Sequence, residues 1–479
     1  MNPMMVSALV AGLGAELRGE LLPNRRVTSI ERDSRRVQAG DVFIAIRGEA
    51  HDGHEFVGQA QAAGAVAAIV ARDWADRQPG RLAFPLLVVD DTVAALQRLA
   101  ATVRRGRDLR VVGITGSIGK TSTKEVVAAV LSGRFRTYRS PGNLNNEIGL
   151  PLSLLDVGPR EEVAVLEMGG AYAFGELALL AEIARPSVAV VTNVYPVHIE
   201  RMGSIEAIAE TKSELVRAIP ANGVVILNGD DHRVRAMADL TEARVITYGL
   251  GADNDIRGED VVSEGLQGTR FRLFIGRERY QIKVPLIGGH AVQLALSAFA
   301  VGHGMGMHIS EMLPGFDNQD VQVRLLIMVG PNGSQIIDDT YNASPPSVLS
   351  ALGLLEELHA RRSIAVLGDM RELGADEDEE HRIVARRAAE VADLVVTYGE
   401  LGRIIADEIH GMSLNGEDVP AVRAYGEHER DDLIAYLSAE LREGDVVLLK
   451  GSRGLKMEQI VQAITLPTPG QDLDGAPLA

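Results

Sequence analysis

Residues Gly113–Leu131, GITGSIGKTSTKEVVAAVL, decide the architecture of this chain. The apolar run Leu109–Thr115 reads as a buried strand, Gly116 and Gly119 as a tight turn, and KTSTKEVVAAVL as the helix that follows. A strand that opens through a glycine-rich turn into a helix forms a phosphate cradle, because backbone N–H groups and the helix N-terminus converge on one point. Thr115, Gly116, Ser117, Ile118, Gly119, Lys120, Thr121 and Ser122 are therefore the expected nucleotide contacts, with Lys120 as a point charge and the Thr121 hydroxyl as a Mg²⁺ ligand. The spacing departs from the strict P-loop pattern, since Ile114 stands where its first glycine would be. An ordinary glycine-rich turn is the alternative reading of the same residues.

On the C-terminal side, short β-branched runs at Arg110–Ile114, Val163–Leu166, Val188–Val191 and Val224–Leu227 alternate with helical stretches, which specifies a mostly parallel sheet. FRLFI and YQIKV then flank Gly276-Arg277 and predict an antiparallel hairpin at that sheet's edge. Gln335–Ile337, Ile364–Leu367, Leu394–Thr397 and Val446–Leu449 repeat the parallel logic in a third region. On the N-terminal side, short strands with turns at Ala39-Gly40 and Asp52-Gly53 lead to an Ala-rich helix, the strand Ala67–Val70 and a basic joint at Arg104–Arg107. The expected fold class is α/β with three domains: a small N-terminal α/β domain over 1–106, a central P-loop ATPase domain with a parallel sheet over 107–318, and a C-terminal Rossmann-like domain over 319–465. Residues 466–479 carry three Pro and two Gly without periodicity and are expected to be a disordered tail.

Composition narrows the function classes. With 479 residues, 46% hydrophobic and 24% charged, the chain is long enough for several cores and unlike a disordered or membrane-bundle sequence. The balance of 48 Lys+Arg against 66 Asp+Glu, a net charge of −18, argues against nucleic acid or an anionic membrane surface as partner. Absence of cysteine excludes disulfides, thiolate metal sites and cysteine nucleophiles. No apolar run approaches the length of a membrane span and Met1–Glu20 lacks a basic leader, so no secretion signal, no stable membrane insertion and a cytoplasmic location are expected.

Glu167 and Asn193 fall just past the second and third strand patterns, on the edge where open α/β sheets bind ligands. A carboxylate there suits a hard cation, or else caps the Met168-Gly169-Gly170 turn. Lys212 is the most informative single residue. Ile205, Ile208, Leu215 and Ile219 form one helical stripe, and Lys212 completes it. Burial disfavours the ammonium, and the neutral amine can take up carbon dioxide to become a carbamate, an anionic metal ligand; the alternative is a lysine that snorkels past the stripe. His198, six residues before the helix, is a candidate ligand of the same metal or a plain surface histidine. Asn143, Asn145 and Asn146 in PGNLNNEIGLP are turn formers or polar site residues. Asp338-Asp339-Thr340-Tyr341-Asn342 and Lys450-Gly451-Ser452-Arg453-Gly454 each follow a buried strand pattern and predict a ligand surface, whereas Asp376–Glu380 predicts a solvated helix start.

To about residue 465 the chain resembles the Mur ligase family, the ATP-dependent amide-bond-forming enzymes of peptidoglycan assembly. The strings that carry the resemblance are DSRRVQAGDVFIAIRGEAHDGHEF, TGSIGKTSTKE, NLNNEIGLPLSLL, LEMG, SIEAIAETKSEL, IDDTYNASPPSV, LGDMRELG with a following EEH, and LLKGSRGLKME, in that order. The resemblance implies an N-terminal domain that holds a UDP-sugar, with Ser34 and Arg35 in its motif, a central ATPase domain, and a C-terminal domain that contacts adenosine and receives the incoming amine. It matches Lys212 to a carbamylated lysine, Thr121 and Glu167 to ligands of a first Mg²⁺, and His198 to a ligand of a second. It implies catalytic roles for Lys120, Lys212, His198 and Asn146, nucleotide contacts from His290, Arg324 and Asp339, and substrate contacts from Asn143, Tyr341, Asn342, Lys450, Ser452 and Arg453.

The strings DDTYNASPPS and KGSRGLKME are similar to those of members that join D-alanyl-D-alanine to UDP-N-acetylmuramoyl-tripeptide. The implied activity is that ligation, driven by ATP with Mg²⁺ through an acyl phosphate, carried out by a monomer. A sister amide ligase, adding the third amino acid or extending folate with glutamate, and a catalytically silent nucleotide-binding scaffold are the rival readings. The chain departs from the family where His290-Ala291-Val292-Gln293-Leu294 replaces His-Asn-x-x-Asn, where Val323-Arg324 replaces Gly-Arg, and where Asn342-Ala343-Ser344-Pro345 replaces Asn-Ala-Asn-Pro. Loss of the asparagine amides implies a weaker adenine contact and weaker discrimination among purine nucleotides.

Overall fold

The computed structural model describes residues 3–48, 51–78, 84–170, 173–196, 199–317 and 326–465. They pack as two compact units, Met1–Val194 with Glu206–Thr247 and Ser297–Leu313, and Tyr195–Ile205 with Tyr248–Leu296 and Pro314–Ala479. The positions His198 and Arg324, and the tail 466–479, lie outside the described residues.

The first unit opens with a five-stranded sheet in the order Glu16–Arg18, Leu86–Val89, Ala67–Ala71, Val42–Ile44, Ile30–Glu31, parallel except for its first pair. Val42–Ile44, Ala67–Ala71 and Leu86–Val89 are buried at every residue, which is why they read as unbroken apolar runs. The helix Thr92–Arg105 follows, started by the Asp91 carboxylate accepting from Ala94 N at 2.8 Å and ended by Arg104 and Arg105 at its negative pole. Arg104 Nε donates to Ala184 O at 2.7 Å and so fastens this helix to the one at Glu176–Ala184.

The second sheet of this unit places the strand Arg110–Thr115 between Val163–Glu167 and Val188–Val191, all parallel, with Val224–Asn228 beyond the latter and Thr137–Arg139 beyond the former. In the second unit, Ile256–Ser263 pairs antiparallel with Thr269–Ile275, and that strand with Glu278–Val284, the antiparallel hairpin expected from its alternating sequence. Thr137–Arg139, Arg244–Gly249 and Ile256–Ser263 carry no clear pattern of their own, because they are short, half-buried or exposed along part of their length.

In the second unit a six-stranded sheet runs Leu326–Val329, Gln335–Asp339, Asp445–Lys450, Arg362–Gly368, Leu394–Tyr398, Ala421–Tyr425, parallel except at its first pair. Leu352, Leu355, Val384, Ala388 and Ile409 fill one face of it, and Leu433, Leu437, Ile460 and Val461 the other. That is a doubly wound sheet, and the strand Asp445–Lys450 is inserted between Gln335–Asp339 and Arg362–Gly368, in the interior of the strand order. The acidic run starts the helix Glu377–Val391, as expected. One expectation needs correction. Glu167, Asp339 and Lys450 are the last residues of their strands and not the first of the loops, because Glu167 stays in register with Ile114 and Asp339 with Lys450. Among the described residues no helix is long and apolar enough to cross a membrane.

Candidate active site

At the carboxyl edge of the Arg110–Thr115 strand, Gly116 takes φ +144°, and a Cβ on it would stand 2.0 Å from the Thr192 hydroxyl, so only glycine lets the loop pass the neighbouring strand end. Asn193, two residues beyond the end of the strand Val188–Val191, grips the loop from the side: its Oδ1 accepts from Ile118 N at 2.8 Å and its Nδ2 donates to Ile118 O at 3.0 Å. Ser117 N also donates to Asn193 O at 3.0 Å. Lys120 opens the helix Lys120–Leu131, and its ammonium donates to Gly116 O at 2.7 Å and Ser117 O at 2.9 Å. The charge is thereby held over the loop.

Thr121 Oγ1 donates to Glu167 Oε2 at 2.5 Å, while Asn145 Nδ2 donates to Glu167 Oε1 at 2.8 Å. Asn145 is itself placed by Gly169 N, which donates to its carbonyl at 2.7 Å. Glu167 is buried with one oxygen aimed at a hydroxyl and the other fixed by an amide, a pair of hard oxygens that suits Mg²⁺. Among the described residues no three carboxylate or histidine groups gather to hold a metal, so any such ion would depend on Glu167, Thr121 and further donors.

Lys212 lies in the helix Ile205–Arg217 with Ile208 and Leu215 buried on the same stripe, and it is only 4% exposed. Its ammonium donates to Gly170 O. Burial first, and then repulsion from Lys120, bring its pKa down to about 7 against the opposing pull of Glu176 and Glu214. Glu214 does not neutralise it because both its oxygens are engaged elsewhere, accepting from Gly175 N at 2.7 Å and Ala178 N at 2.9 Å. A fall of that size disfavours the ammonium by roughly 5 kcal/mol, so a sizeable fraction of the amine is uncharged near neutrality. The snorkelling alternative does not describe this side chain.

The asparagine segment divides by role. Asn146 Oδ1 accepts from Gly149 N at 2.8 Å and starts the helix Gly149–Asp156, while Asn143 shapes the turn through its carbonyl, which accepts from Asn145 N at 2.8 Å. Asn145, not singled out from its neighbours by sequence, is the one that reaches Glu167. Lys124 was also missed: it is fully buried, donating to Ser140 O at 2.6 Å and Gly142 O at 2.8 Å, and thus holds the segment that delivers Asn145. Its spacing with Val127, Ala128 and Leu131 is the same stripe signal that picked out Lys212.

The second unit gathers its own cluster. Lys450 Nζ donates to Asp339 Oδ2 at 2.6 Å and to Asn342 O at 2.9 Å. His290 lies within electrostatic range of both Lys450 and Asp339. Arg453 extends over the exposed ring of Tyr341 at 5.4 Å, and Ser452 N donates to Asp369 O at 2.9 Å. In the N-terminal sheet, Ser34 is buried and donates to Gln59 Oε1 at 3.0 Å, whereas Arg35 is exposed and pairs with Asp33 at 2.7 Å.

Comparison with known proteins agrees with this layout. Residues 26–104 match the Mur ligase family catalytic domain, 114–302 the Mur ligase middle domain, and 324–453 the Mur ligase glutamate ligase domain. A UDP-N-acetylmuramoyl-tripeptide–D-alanyl-D-alanine ligase of Bacillus subtilis is 37% identical over 439 residues, 91% of this chain and 93% of the relative. Among solved structures, MurF of Acinetobacter baumannii superposes with a TM-score of 0.84 at 28% identity, covering 96% of this chain and 98% of that one. MurF of Thermotoga maritima, solved in complex with ADP, does so with a TM-score of 0.76 at 28% identity, over 91% and 97%. Three successive family regions, with the Lys120 loop opening the middle one, place this chain in the Mur ligase family.

Proposed function

We propose that this chain is the ATP-dependent ligase that joins D-alanyl-D-alanine to UDP-N-acetylmuramoyl-tripeptide, working as a cytoplasmic monomer in peptidoglycan precursor synthesis. The observation that carries the reading is the convergence of Lys120, Thr121 and Glu167 at one sheet edge in a chain 37% identical to a ligase of that name. We assign 1–106 to the UDP-sugar, 107–318 to ATP and 319–465 to the incoming amine, a division supported by matched regions at 26–104, 114–302 and 324–453.

In this reaction the tripeptide carboxylate attacks the γ-phosphorus of ATP, an O–P bond forms as the bond to ADP breaks, and an acyl phosphate results. The dipeptide amine then attacks the acyl carbon, phosphate leaves, and the new amide gives up a proton. The loop N–H groups orient the phosphates, and Lys120 swings its charge from the Gly116 and Ser117 carbonyls to the transferring group. Thr121 and Glu167 would hold a first Mg²⁺, and a carbamylated Lys212 with His198 a second; such ions would supply charge that offsets the repulsion between two anions. Asn145 fixes the Glu167 oxygen that Thr121 does not use. His290, Arg324 and Asp339 are assigned to adenosine, Ser34 and Arg35 to the UDP-sugar, and Tyr341, Asn342, Lys450, Ser452 and Arg453 to the substrates. No side-chain nucleophile is required.

An ADP-release assay with UDP-N-acetylmuramoyl-tripeptide, with and without D-alanyl-D-alanine, tests the reading. Release is expected only with the dipeptide, and turnover with single amino acids in its place would assign the chain to a sister ligase.

A further inference from the structure

The carboxyl edge of the sheet in the second unit carries a network that the chemistry above does not use. Asp369 follows the strand Arg362–Gly368 and is only 1% exposed. Its Oδ1 accepts from Leu401 N at 2.9 Å and Gly402 N at 3.1 Å, where the helix Gly402–Leu414 begins, and its Oδ2 accepts from Arg371 Nη2 at 3.1 Å. Arg371 also pairs with Glu427, which stands past the end of the strand Ala421–Tyr425. Three strand ends are therefore joined through the side chains of Asp369, Arg371 and Glu427, and the Gly451–Gly454 loop joins as a fourth through Ser452. Ser452 N donates to Asp369 O at 2.9 Å, and Arg371 N donates to Ser452 Oγ at 3.0 Å. Gly454 packs so closely that a Cβ on it would stand 2.7 Å from Arg371 Nη1. The remaining backbone donor of the turn is held too, because Met370 N donates to Nε2 of the buried His381 at 3.0 Å.

This much fixing exceeds what a surface loop needs. Its effect is to leave Arg453 in one place, projecting from the held loop over Tyr341, which is 39% exposed. We propose that Asp369, Arg371 and Glu427 form a latch that positions Ser452 and Arg453 for the incoming dipeptide, so that Arg371 and Glu427 are positioning residues that set affinity for the amine substrate. The inference rests on the ligase reading and deepens it. One nitrogen, Arg371 Nη2, meets both carboxylates, so a single guanidinium bridges Asp369 and Glu427 from two different loops.

The test compares Arg371→Gln, Arg371→Lys and Glu427→Gln in the full-length protein. Arg371→Gln should raise KM for D-alanyl-D-alanine about tenfold, leaving KM for ATP and for the UDP-tripeptide and the thermal midpoint near wild type. Glu427→Gln, which leaves the Asp369 bond in place, and Arg371→Lys should both fall between. Uniform loss of all parameters together with a lower midpoint would make the network simply structural, and an unchanged dipeptide KM would overturn the proposal. Amide hydrogen exchange over Gly451–Gly454 reads the latch independently of substrate: faster exchange in Arg371→Gln is expected, and unchanged exchange refutes it. A wild-type protein without dipeptide-dependent ADP release, but with the exchange change, would sink the ligase reading and leave the latch standing.

Discussion

Each of the two units buries a lysine, Lys450 at the end of a parallel strand and Lys212 on a helix, and the two are treated oppositely. Lys450 is 3% exposed and meets the Asp339 carboxylate at 2.6 Å. Lys212 is 4% exposed, is hydrogen-bonded to a carbonyl, and faces the repulsion of Lys120, with Glu214 of its own helix committed to two backbone donors. Burial is the same and partnership is not. The paired lysine serves as a fixed cation that ties two strand ends, whereas the other is shifted toward the neutral amine that the proposed carbamate requires.

The contrast can be broken from several sides. Lys120→Ala removes the charge that depresses Lys212 and that the proposed mechanism assigns to phosphate, and kcat should fall about 1,000-fold with an unchanged far-ultraviolet circular dichroism spectrum. A variant keeping a tenth of wild-type turnover would sink the phosphate-loop assignment. Lys212→Ala should lower kcat about 100-fold, with partial recovery on adding a small carboxylic acid as a substitute metal ligand. Near-normal kcat at saturating magnesium would decide against the carbamate.

The same residue predicts a pH dependence of stability. Burial and the charge of Lys120 bring Lys212 down to about 7 in the folded protein from the ordinary lysine value of 10.5, so between those limits the unfolded chain binds more protons. In carbon-dioxide-free buffer, stability should therefore rise with pH across that window and fall as pH drops through it, by up to roughly 1.4 kcal/mol per pH unit. Urea titrations of wild type and Lys212→Met, which should lack this component, check the sign. On the paired side, Asp339→Ala leaves Lys450 as a buried cation without its carboxylate and should cost about 2 to 3 kcal/mol of unfolding free energy, less than for a fully buried pair because Asp339 is partly exposed. The smallest effect concerns the base: Leu294→Asn should raise the ATP-to-GTP preference in kcat/KM about fivefold, and strong rejection of GTP by the wild type would show that another group reads the purine.

Much of this was legible in sequence where chemistry and periodicity coincide. The strand–loop–helix at Gly113–Leu131 needed only local pattern, and Lys212 stood out because a charge interrupted an apolar stripe. Lys124 carried the same signal but sits within a lysine-rich helix start, where a second cation draws no notice. Asn145 could not be separated from Asn143 and Asn146, since all three are good turn residues and only the approach of a non-adjacent strand end decides which one meets Glu167. The short strands at Thr137–Arg139 and Ala421–Tyr425 escaped for a related reason: half-exposed edge positions take their conformation from a neighbour and not from their own composition.

The grip of Asn193 on Ile118 bears on how tightly a nucleotide can be held. The backbone of the loop is set by the side-chain amide, the Thr192 hydroxyl at 2.9 Å and the Ser117 N–H, all of them groups of the protein itself. A loop shaped in this way has few conformations to lose when phosphates arrive, so binding free energy need not be diverted into ordering it. Association should accordingly resemble docking onto a rigid template, with Asn193→Ala acting chiefly through an unfavourable entropy change that calorimetry can separate from the enthalpy of the phosphate contacts.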